Sequence, residues 1–365
     1  MTSTMTTTCT STAMLDRPTL HTPVGGYSSF SGDGREERLV SALLAHKDEL
    51  QGKPQAVLEA IDRFAEGEYL MNVGAHKGQV VEEIIKEKGA KLILELGTYV
   101  GYSAIKFARH LLSLHPNGVL PPSWPSSPPL SSDARQFVGY ICLEKSASYA
   151  HVANTLLGLA GLGDITKILI GPSTRSILKL HALLPALAPG TQFDLVFLDH
   201  HKPHYTMDLK ALEEGGWVGK GTTVVADNVI KPGNPRYLAY VRGKTPVRID
   251  KEEEEDGEEE GEEEAEAAQT KVHVGQGGEE AGEGVGEKAD EQATELVVQD
   301  VELVGQDDTG DVLEELEEVD EETGTVIAGV KRLRYESMLV MSWDPYTGED
   351  DGVEVSTCVG LQEEM

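Results

Sequence analysis

The sequence contains little cysteine, few aromatic residues and no apolar run long enough to cross a membrane. Its 365 residues include 5% aromatic residues and three cysteines, Cys9, Cys142 and Cys358. An odd number of widely spaced cysteines argues against a disulfide framework and a CxxC metal knuckle, and it predicts a reducing compartment. No apolar stretch approaches the roughly 18 residues that a membrane span needs. The N-terminus lacks the charged and apolar regions of a secretory signal, so we expect a cytoplasmic protein without a membrane partner.

The chain also lacks a basic stripe, although its formal net charge is −32. Residues 250–322 hold 32 of the 63 acidic residues and only three basic ones, so most of the excess charge lies in this segment. The remainder of the chain has the charge balance of an ordinary globular domain. Phosphate contacts require clustered lysine and arginine, and the composition therefore argues against a nucleic-acid partner.

The composition predicts one domain, residues 35–365, with a flexible arm and two insertions. Residues 1–34 are rich in serine and threonine and are predicted to be disordered. Residues 116–132 contain six prolines and five serines, which is typical of a loop. The acidic segment 250–325 cannot bury enough apolar surface to offset its chain entropy, so we predict an inert, solvated insertion. One part of it, TELVVQDVELV (294–304), is mildly apolar and has transient helix or strand as an alternative. The functional alternative is that the segment binds a basic partner or gathers Mg²⁺.

Helical and strand-like patterns alternate along the rest of the chain. Apolar residues three and four apart predict helices over 38–50, 54–70 and 76–88. Short apolar runs predict strands at 92–96, 137–144, 165–171, 193–199, 222–228, 329–343 and 352–360. Strands that alternate with helices are typical of an open, mostly parallel sheet with both faces covered, and we therefore predict an α/β fold.

Two features at the ends of early strands indicate a nucleoside ligand. The stretch ELGTYVGYS (95–103) lies where a strand meets a helix, and its glycines allow the backbone to approach a ligand. Glu144 ends the next strand, where dinucleotide-type folds place an acid that holds ribose hydroxyls. A tight turn without a ligand and a solvated acid at a strand end are the alternatives.

Two acids follow later strands and predict a cation site. Asp199 and the pair Asp227-Asn228 come directly after apolar strands, so their oxygens should meet at one sheet edge. Two carboxylates and an amide oxygen suit Mg²⁺. His200 and His201 suggest zinc as an alternative, but no nearby cysteine or further histidine completes a tetrahedral set. A second alternative is that these acids only cap helices.

Five stretches of the sequence resemble the catechol O-methyltransferase family, whose enzymes depend on S-adenosylmethionine and magnesium. The matching stretches are PQAVLEAID (54–62), MNVGAHKGQ (71–79), LILELGTYVGYSA (92–104), FDLVFLDHHKPHY (193–205) and VVADNVIKPGNPRYLAYVRG (224–243). The resemblance implies a Rossmann-like class I methyltransferase with a seven-stranded, mostly parallel sheet and an antiparallel last strand. It also implies a small-molecule catechol as the substrate, and we expect a monomer.

The resemblance also implies where the cofactor binds. Residues implied to hold its methionine half are Met71, Val73, Glu95, Gly97, Tyr99 and Ser103. Glu144 matches the ribose-binding acid, Ser173 matches a contact near the adenine, and His200 lies beside the adenosyl group in the family. Asp199 is included in the cofactor site as well as in the metal site.

The remaining matches concern the cation and the methyl acceptor. Asp199, Asp227 and Asn228 match the magnesium ligands, and Lys202 matches the general base. The acceptor-contacting positions are Tyr69, His201, Lys202, Asn228, Pro232 and Glu336. Glu336 matches the acid that hydrogen-bonds the second catechol hydroxyl. Because it follows the acidic insertion, Glu336 has the alternative of lying on an ordinary strand and facing solvent.

Two departures from the animal enzymes leave the identity of the methyl acceptor undetermined. Tyr69 and His201 stand where those enzymes have tryptophan, which predicts a more polar acceptor pocket. The catalytic alternative is a cation-dependent O-methyltransferase for other phenolics with adjacent hydroxyls, of the phenylpropanoid-ester type. The non-catalytic alternative is an interaction protein that works through the acidic insertion. The intact set Asp199, Lys202, Asp227 and Asn228 favours an enzyme.

Overall fold

The computed structural model describes residues 33–116, 138–185, 187, 189–243, 302–303, 333–343 and 348–361. Most of the serine-rich and threonine-rich arm, the Pro/Ser loop and the acidic insertion lie outside these ranges. Within the acidic insertion, Glu302–Leu303 is described and forms a short strand of the sheet, contrary to the expectation of a wholly solvated segment. The other expectations stated for these segments stay predictions.

Ten α-helices, α1 to α10, occur in the described residues. They span Arg35–Leu44, Lys47–Leu50, Pro54–Ala65, Ala75–Lys88, Tyr102–Leu114, Ala147–Leu159, Ser173–Leu178, Leu180–Leu183, Tyr205–Glu214 and Pro235–Val241. Short 3₁₀ helices span Gly163–Ile165 and Lys202–His204, and a π-helical turn spans Val229–Gly233. Among the described residues, no helix has the length and apolar character needed to cross a membrane.

The helix boundaries follow local signals only in part. Pro54 opens α3, where its missing N–H is not needed, and Gly89 ends α4 in the left-handed conformation with a φ of 58°. The predicted helix 54–70 ends earlier, at Ala65, because the chain turns there and the amides of Gly67 and Glu68 both donate to the Phe64 carbonyl. The predicted helix 38–50 is divided into α1 and α2.

In the part of the chain that the structure describes, eight β-strands form one sheet in the order β6-β3-β2-β1-β4-β5-β8-β7. They span, from β1 to β8, Leu92–Leu96, Gly139–Glu144, Thr166–Ile170, Leu195–Leu198, Thr223–Ala226, Glu302–Leu303, Leu333–Trp343 and Asp350–Leu361. β6 is a two-residue strand that pairs with β3, and the other seven form the main sheet. β1 to β5 pair in parallel, whereas β8 is antiparallel to both of its neighbours. The predicted seven-stranded, mostly parallel sheet with an antiparallel last strand is confirmed.

Successive side chains of the central strands point to opposite faces of the sheet, and each face carries its own hydrophobic core. Ile93 and Phe197 face a core formed with α1 and α3 to α6. Leu94 and Val196 face a second core formed with α7 to α10. Each strand is therefore apolar on both faces, and this is why it appears in the sequence as a continuous apolar run.

We expect Phe197→Ala to destabilise the fold strongly. Phe197 is fully buried and packs edge-to-face on Phe107 of α5, with ring centroids 5.3 Å apart. Truncation of such a ring costs about 3–5 kcal/mol. Urea unfolding measures the loss, and Met338→Ala is the control because Met338 on β7 is 56% exposed. Equal unfolding free energies for the two variants would contradict the assignment of Phe197 to the core.

Candidate active site

The candidate site lies at the carboxyl edge of the sheet, where β1, β4 and β5 end side by side. Leu96 pairs with Leu198, and Leu198 pairs with Ala226. The turns after these three strands therefore meet. The chain proceeds from β1 to β2 and β3 on one side and to β4 and β5 on the other, and such a switch point is where open α/β sheets bind ligands.

Gly97 lets the turns after β1 and β4 approach each other. Its φ is 90°, and a Cβ atom there would lie 2.6 Å from the carbonyl oxygen of Asp199. Tyr99 also has a positive φ, of 49°, and its hydroxyl donates to Oε1 of Glu36 at 2.7 Å. Gly97 therefore serves the close approach of two turns, and the predicted approach of this backbone to a ligand stays a prediction.

Glu144 braces the same turn from the end of β2. Its Oε2 accepts from the backbone N–H groups of Thr98 and Tyr99, at 3.1 and 2.9 Å, and its Oε1 accepts from Ser146 N at 2.8 Å. Burial raises the pKa of this carboxyl, and the backbone donors act in the opposite direction. Carboxylate oxygens have further lone pairs, so Glu144 remains able to accept from ribose hydroxyls.

Glu95 is a fully buried carboxyl at the end of β1. Burial, the largest cause, raises its pKa to about 8, although a hydrogen bond from Ser103 opposes the shift. The thiol of Cys142 also contacts its Oε2, at 3.6 Å. Glu95 and Ser103 are therefore brought together as the sequence predicts, beside the glycine turn.

His200 presents an unused acceptor to this edge. Its Nε2 lies 2.8 Å from Oδ2 of Asp208, and because a carboxylate only accepts, the proton is placed on Nε2. Nδ1 is then a buried acceptor that lacks a hydrogen-bond partner among the described residues. Burial lowers the pKa of this imidazole despite the carboxylate. An orphaned acceptor next to Asp199 fits a ligand that carries hydroxyl or amino groups.

The other predicted cofactor residues differ in exposure. Val73 is buried, Met71 is 43% exposed, and both precede α4. Ser173 opens α7 directly after β3 and is half-buried. In the same stretch as Met71 and Val73, both polar atoms of the Asn72 side chain are buried without a hydrogen-bond partner among the described residues. These placements are compatible with a ligand along the β1–β3 side of the edge.

Lys202 is held next to Asp199 in the turn after β4. Its Nζ donates to Oδ1 of Asp199 at 3.0 Å and to the hydroxyl of Tyr205 at 2.9 Å. That hydroxyl donates in turn to the Leu198 carbonyl at 2.8 Å. The ammonium group therefore forms a hydrogen bond with one of the proposed cation ligands, Asp199, and the Lys202 side chain remains partly exposed.

Asp227 and Asn228 form a second charged cluster with Lys77 and Asp351. Lys77 Nζ lies 2.7 Å from Oδ1 of Asp227 and 3.0 Å from Oδ2 of Asp351, and all three side chains are buried. Although burial opposes it, the two carboxylates raise the pKa of Lys77. Burial, followed by Asp199, raises the pKa of Asp227. The pKa of Asp351 is shifted downward, because Lys77 outweighs the effect of its burial.

The donor set fits a hard divalent cation but not a zinc site. Within the described residues, no group of three or more His, Cys, Asp or Glu side chains forms a metal site. The candidate ligands Asp199, Asp227 and Asn228 supply only oxygen, as Mg²⁺ prefers. With Asp351 included, three carboxylates face two ammonium groups, so the cluster keeps a net negative charge.

Three of the predicted acceptor-contacting residues, Tyr69, His201 and Pro232, are partly or largely exposed. Tyr69 is half-buried, and its carbonyl accepts from Arg35 at 2.7 Å. His201 is exposed and lies edge-on to His204, with centroids 5.0 Å apart. Pro232 is exposed in the π-helical turn after Asn228.

Glu336 does not lie at this edge, and its predicted role there is wrong. It pairs with Thr357, which pairs with Thr223 at the amino end of β5, whereas Asp227 follows the carboxyl end. Thr223 and Asp227 are four residues apart along the strand, which corresponds to about 13 Å. The side chain is also exposed. The alternative, an ordinary strand residue that faces solvent, is confirmed.

Sequence reasoning missed the residues that β7 and β8 do bring near this edge. Ser342 pairs with Asp351, and its hydroxyl lies 2.8 Å from Nδ1 of His76. Trp343 stacks on the same imidazole, with centroids 4.4 Å apart. The quoted stretch MNVGAHKGQ contained His76 and Lys77, but nothing in it indicated partners more than 250 residues away.

Comparisons with known proteins find relatives of this chain among the O-methyltransferases. An O-methyltransferase family profile matches residues 53–118. The chain is 40% identical over 215 residues to catechol O-methyltransferase from Mus musculus, covering 59% of this chain and 70% of that protein. It is 38% identical over 217 residues to catechol O-methyltransferase B from Danio rerio, with shares of 59% and 70%. The crystal structure of the O-methyltransferase TomG from Streptomyces achromogenes, in complex with SAM, has 18% identity and a TM-score of 0.41, covering 89% of this chain and 99% of that one.

The sheet and its carboxyl edge define a Rossmann-like class I methyltransferase. The chain belongs to the catechol O-methyltransferase family of S-adenosylmethionine-dependent O-methyltransferases. The family predicted from the sequence motifs is thereby confirmed.

We expect the pH dependence of stability to report on Glu95. A carboxyl whose pKa is raised to about 8 in the folded state stabilises the fold only while it is protonated. In the absence of cofactor, the unfolding free energy should therefore fall as the pH rises from about 4.5 toward 8, by up to about 1.4 kcal/mol per unit. Urea titrations should show a flatter profile for Glu95→Gln over this range. Parallel profiles would contradict the raised pKa.

Proposed function

We propose that the enzyme transfers the methyl group of S-adenosylmethionine to one hydroxyl of a catechol bound with Mg²⁺. The observation that carries the proposal is the meeting of Asp199, Lys202, Asp227 and Asn228 at the ends of two adjacent strands, next to the glycine turn. Catechol O-methyltransferases from Mus musculus and Danio rerio are the relatives that support the choice of acceptor.

The residues after β1 and β2 would bind the cofactor, and those after β4 and β5 would bind the cation and the methyl acceptor. Glu144 would accept from the ribose, and Nδ1 of His200 would accept from the adenosyl portion. Glu95 and Ser103 lie where the resemblance places the methionine half. The oxygens of Asp199, Asp227 and Asn228 would hold Mg²⁺, which when bound stabilises the anion of a chelating acceptor. A lone phenol cannot chelate, so adjacent hydroxyls are required.

We assign Lys202 as the group that accepts the proton of the catechol hydroxyl. A phenol has a pKa near 10, so little phenolate forms unaided at neutral pH. Nζ of Lys202 is an ammonium group in its contacts with Asp199 and Tyr205, so it would first release one proton to solvent and would then, as an amine, accept the hydroxyl proton. The phenolate oxygen then forms a bond to the methyl carbon while the carbon–sulfur bond breaks, and the sulfur retains the electron pair. Charge is neutralised in this step, so the protein contributes mainly orientation and exclusion of water.

We expect methyl transfer to a simple catechol only with Mg²⁺ or a similar divalent ion. EDTA should abolish turnover, and cofactor binding measured by calorimetry should persist because Glu144, Glu95 and His200 are not metal ligands. Guaiacol, with one free hydroxyl, is the matched acceptor control and should not react. Full turnover in EDTA would refute the metal requirement, and absence of cofactor binding would refute the proposed reaction itself.

Lys202→Ala should lower kcat by about 10²–10⁴-fold, because it removes the proton acceptor. The Kd for S-adenosylmethionine should change little. Lys220→Ala is the control, since Lys220 is an exposed lysine that precedes the amino end of β5, the end of that strand opposite Asp227. A wild-type kcat for Lys202→Ala between pH 7 and 8 would show that another group accepts the proton.

A further inference from the structure

We infer that Asp351, anchored by Lys77, is a positioning residue that makes Asn228 present its amide oxygen to the cation site. The inference rests on the proposed function, because it concerns residues that contact the proposed cation ligands of the same site. Asp351 lies on β8, beyond the acidic insertion, and belongs to none of the sequence motifs described above.

The orientation of the Asn228 amide follows from the chemistry of its partner. Nδ2 of Asn228 donates to Oδ2 of Asp351 at 2.8 Å. An ionised carboxylate accepts and cannot donate, so the amide nitrogen must be the atom that faces Asp351. The amide oxygen therefore lies on the opposite branch of the side chain. Oxygen is the end of an amide that can bind Mg²⁺.

Asp351 is itself fixed by two further bonds. Its Oδ2 also accepts from Nζ of Lys77 at 3.0 Å, and its Oδ1 accepts from the backbone N–H of Lys231 at 3.1 Å. The side chain is fully buried, so no solvent competes for these oxygens. Both carboxylate oxygens are thus occupied by donors that lie on segments far apart in sequence.

The same lysine fixes the neighbouring ligand. Lys77 contacts both oxygens of Asp227, at 2.7 and 2.9 Å, and Oδ1 of Asp227 also accepts from the backbone N–H of Asn228 at 2.8 Å. Asn228 adopts a left-handed backbone with a φ of 57°, which asparagine tolerates better than most residues. One buried pair therefore sets the geometry of two adjacent candidate ligands.

The test compares Mn²⁺ binding, followed by the EPR signal of free Mn²⁺, in the full-length protein and its variants. Asp351→Asn can offer Asn228 either an oxygen or a nitrogen, so the amide is no longer forced into one orientation. Loss of such an outer partner typically weakens metal binding by about 10–100-fold, and we expect at least about tenfold. The Kd for S-adenosylmethionine should stay within about twofold.

Glu354→Gln is the matched control. Glu354 is also fully buried on β8, and its two oxygens each accept from Arg242 at 2.7 Å. This variant removes a comparable ion pair on the same strand without removing a partner of Asn228. We expect it to lose stability but to bind Mn²⁺ as the wild type does. Equal Mn²⁺ affinities in Asp351→Asn and the wild type would overturn the inference.

A swapped pair separates orientation from charge and protects the test if Asp351→Asn does not fold. In Asn228→Asp alone, two carboxylates face each other, and we expect weak Mn²⁺ binding. In the double variant Asp351→Asn/Asn228→Asp, the amide introduced on β8 can donate to the new carboxylate, which presents oxygen in either orientation. Mn²⁺ should then bind at least about tenfold tighter than to Asn228→Asp. A double variant no tighter than Asn228→Asp would overturn the inference.

The outcome for the wild type distinguishes this inference from the proposed function. Absence of Mn²⁺ binding to the wild type would refute the metal requirement and this inference together. Mn²⁺ binding that survives Asp351→Asn unchanged would leave the proposed function intact and overturn the inference alone.

Discussion

The buried ammonium group of Lys77 connects three parts of the chain that are far apart in sequence, and the arrangement of the proposed cation ligands Asp227 and Asn228 depends on it. Lys77 lies on α4, and its ammonium group donates hydrogen bonds to Asp227 after β5 and to Asp351 on β8, which are 150 and 274 residues away in sequence. Charged groups are costly to bury without partners, and removal of one member of such a cluster leaves the others uncompensated. The cluster therefore ties the position of the last strand to the turn that carries the candidate ligands.

The parallel register of β1, β4 and β5 is the second constraint on the site. It places the turns after these strands next to one another, and Gly97 allows a backbone contact with Asp199 that no side chain would permit. The residues proposed to hold the cofactor, around Glu95 and Glu144, thus lie beside those proposed to hold the cation, around Asp199 and Asp227. Methyl transfer requires this proximity, since donor and acceptor atoms must be aligned before the bond exchange.

Burial changes the charge behaviour of both groups of residues. Glu95 and Asp227 have raised pKa values, chiefly because they are removed from water. Among the residues proposed to hold the cofactor, His200 has a buried Nδ1 that lacks a protein partner among the described residues. Together, these features describe a preformed edge in which several polar groups are held ready for a ligand. Such groups are costly in a purely structural role.

The sequence alone determined the fold class, seven of the eight strands found in the described residues, and the local turns. These features depend on neighbouring residues: apolar runs for strands buried on both faces, glycine for tight turns, and acids directly after strands that must end at one edge. The tertiary structure decided what depends on pairing between distant segments. The register of β7 and β8 removed Glu336 from the edge and brought Ser342, Trp343 and Asp351 toward it. A shift in strand pairing changes which residues face a site without changing the local sequence pattern. The sequence motifs therefore could not reveal the register of β7 and β8. The partners of Lys77 were hidden for the same reason, because a buried ion pair leaves no local mark on the sequence of either residue.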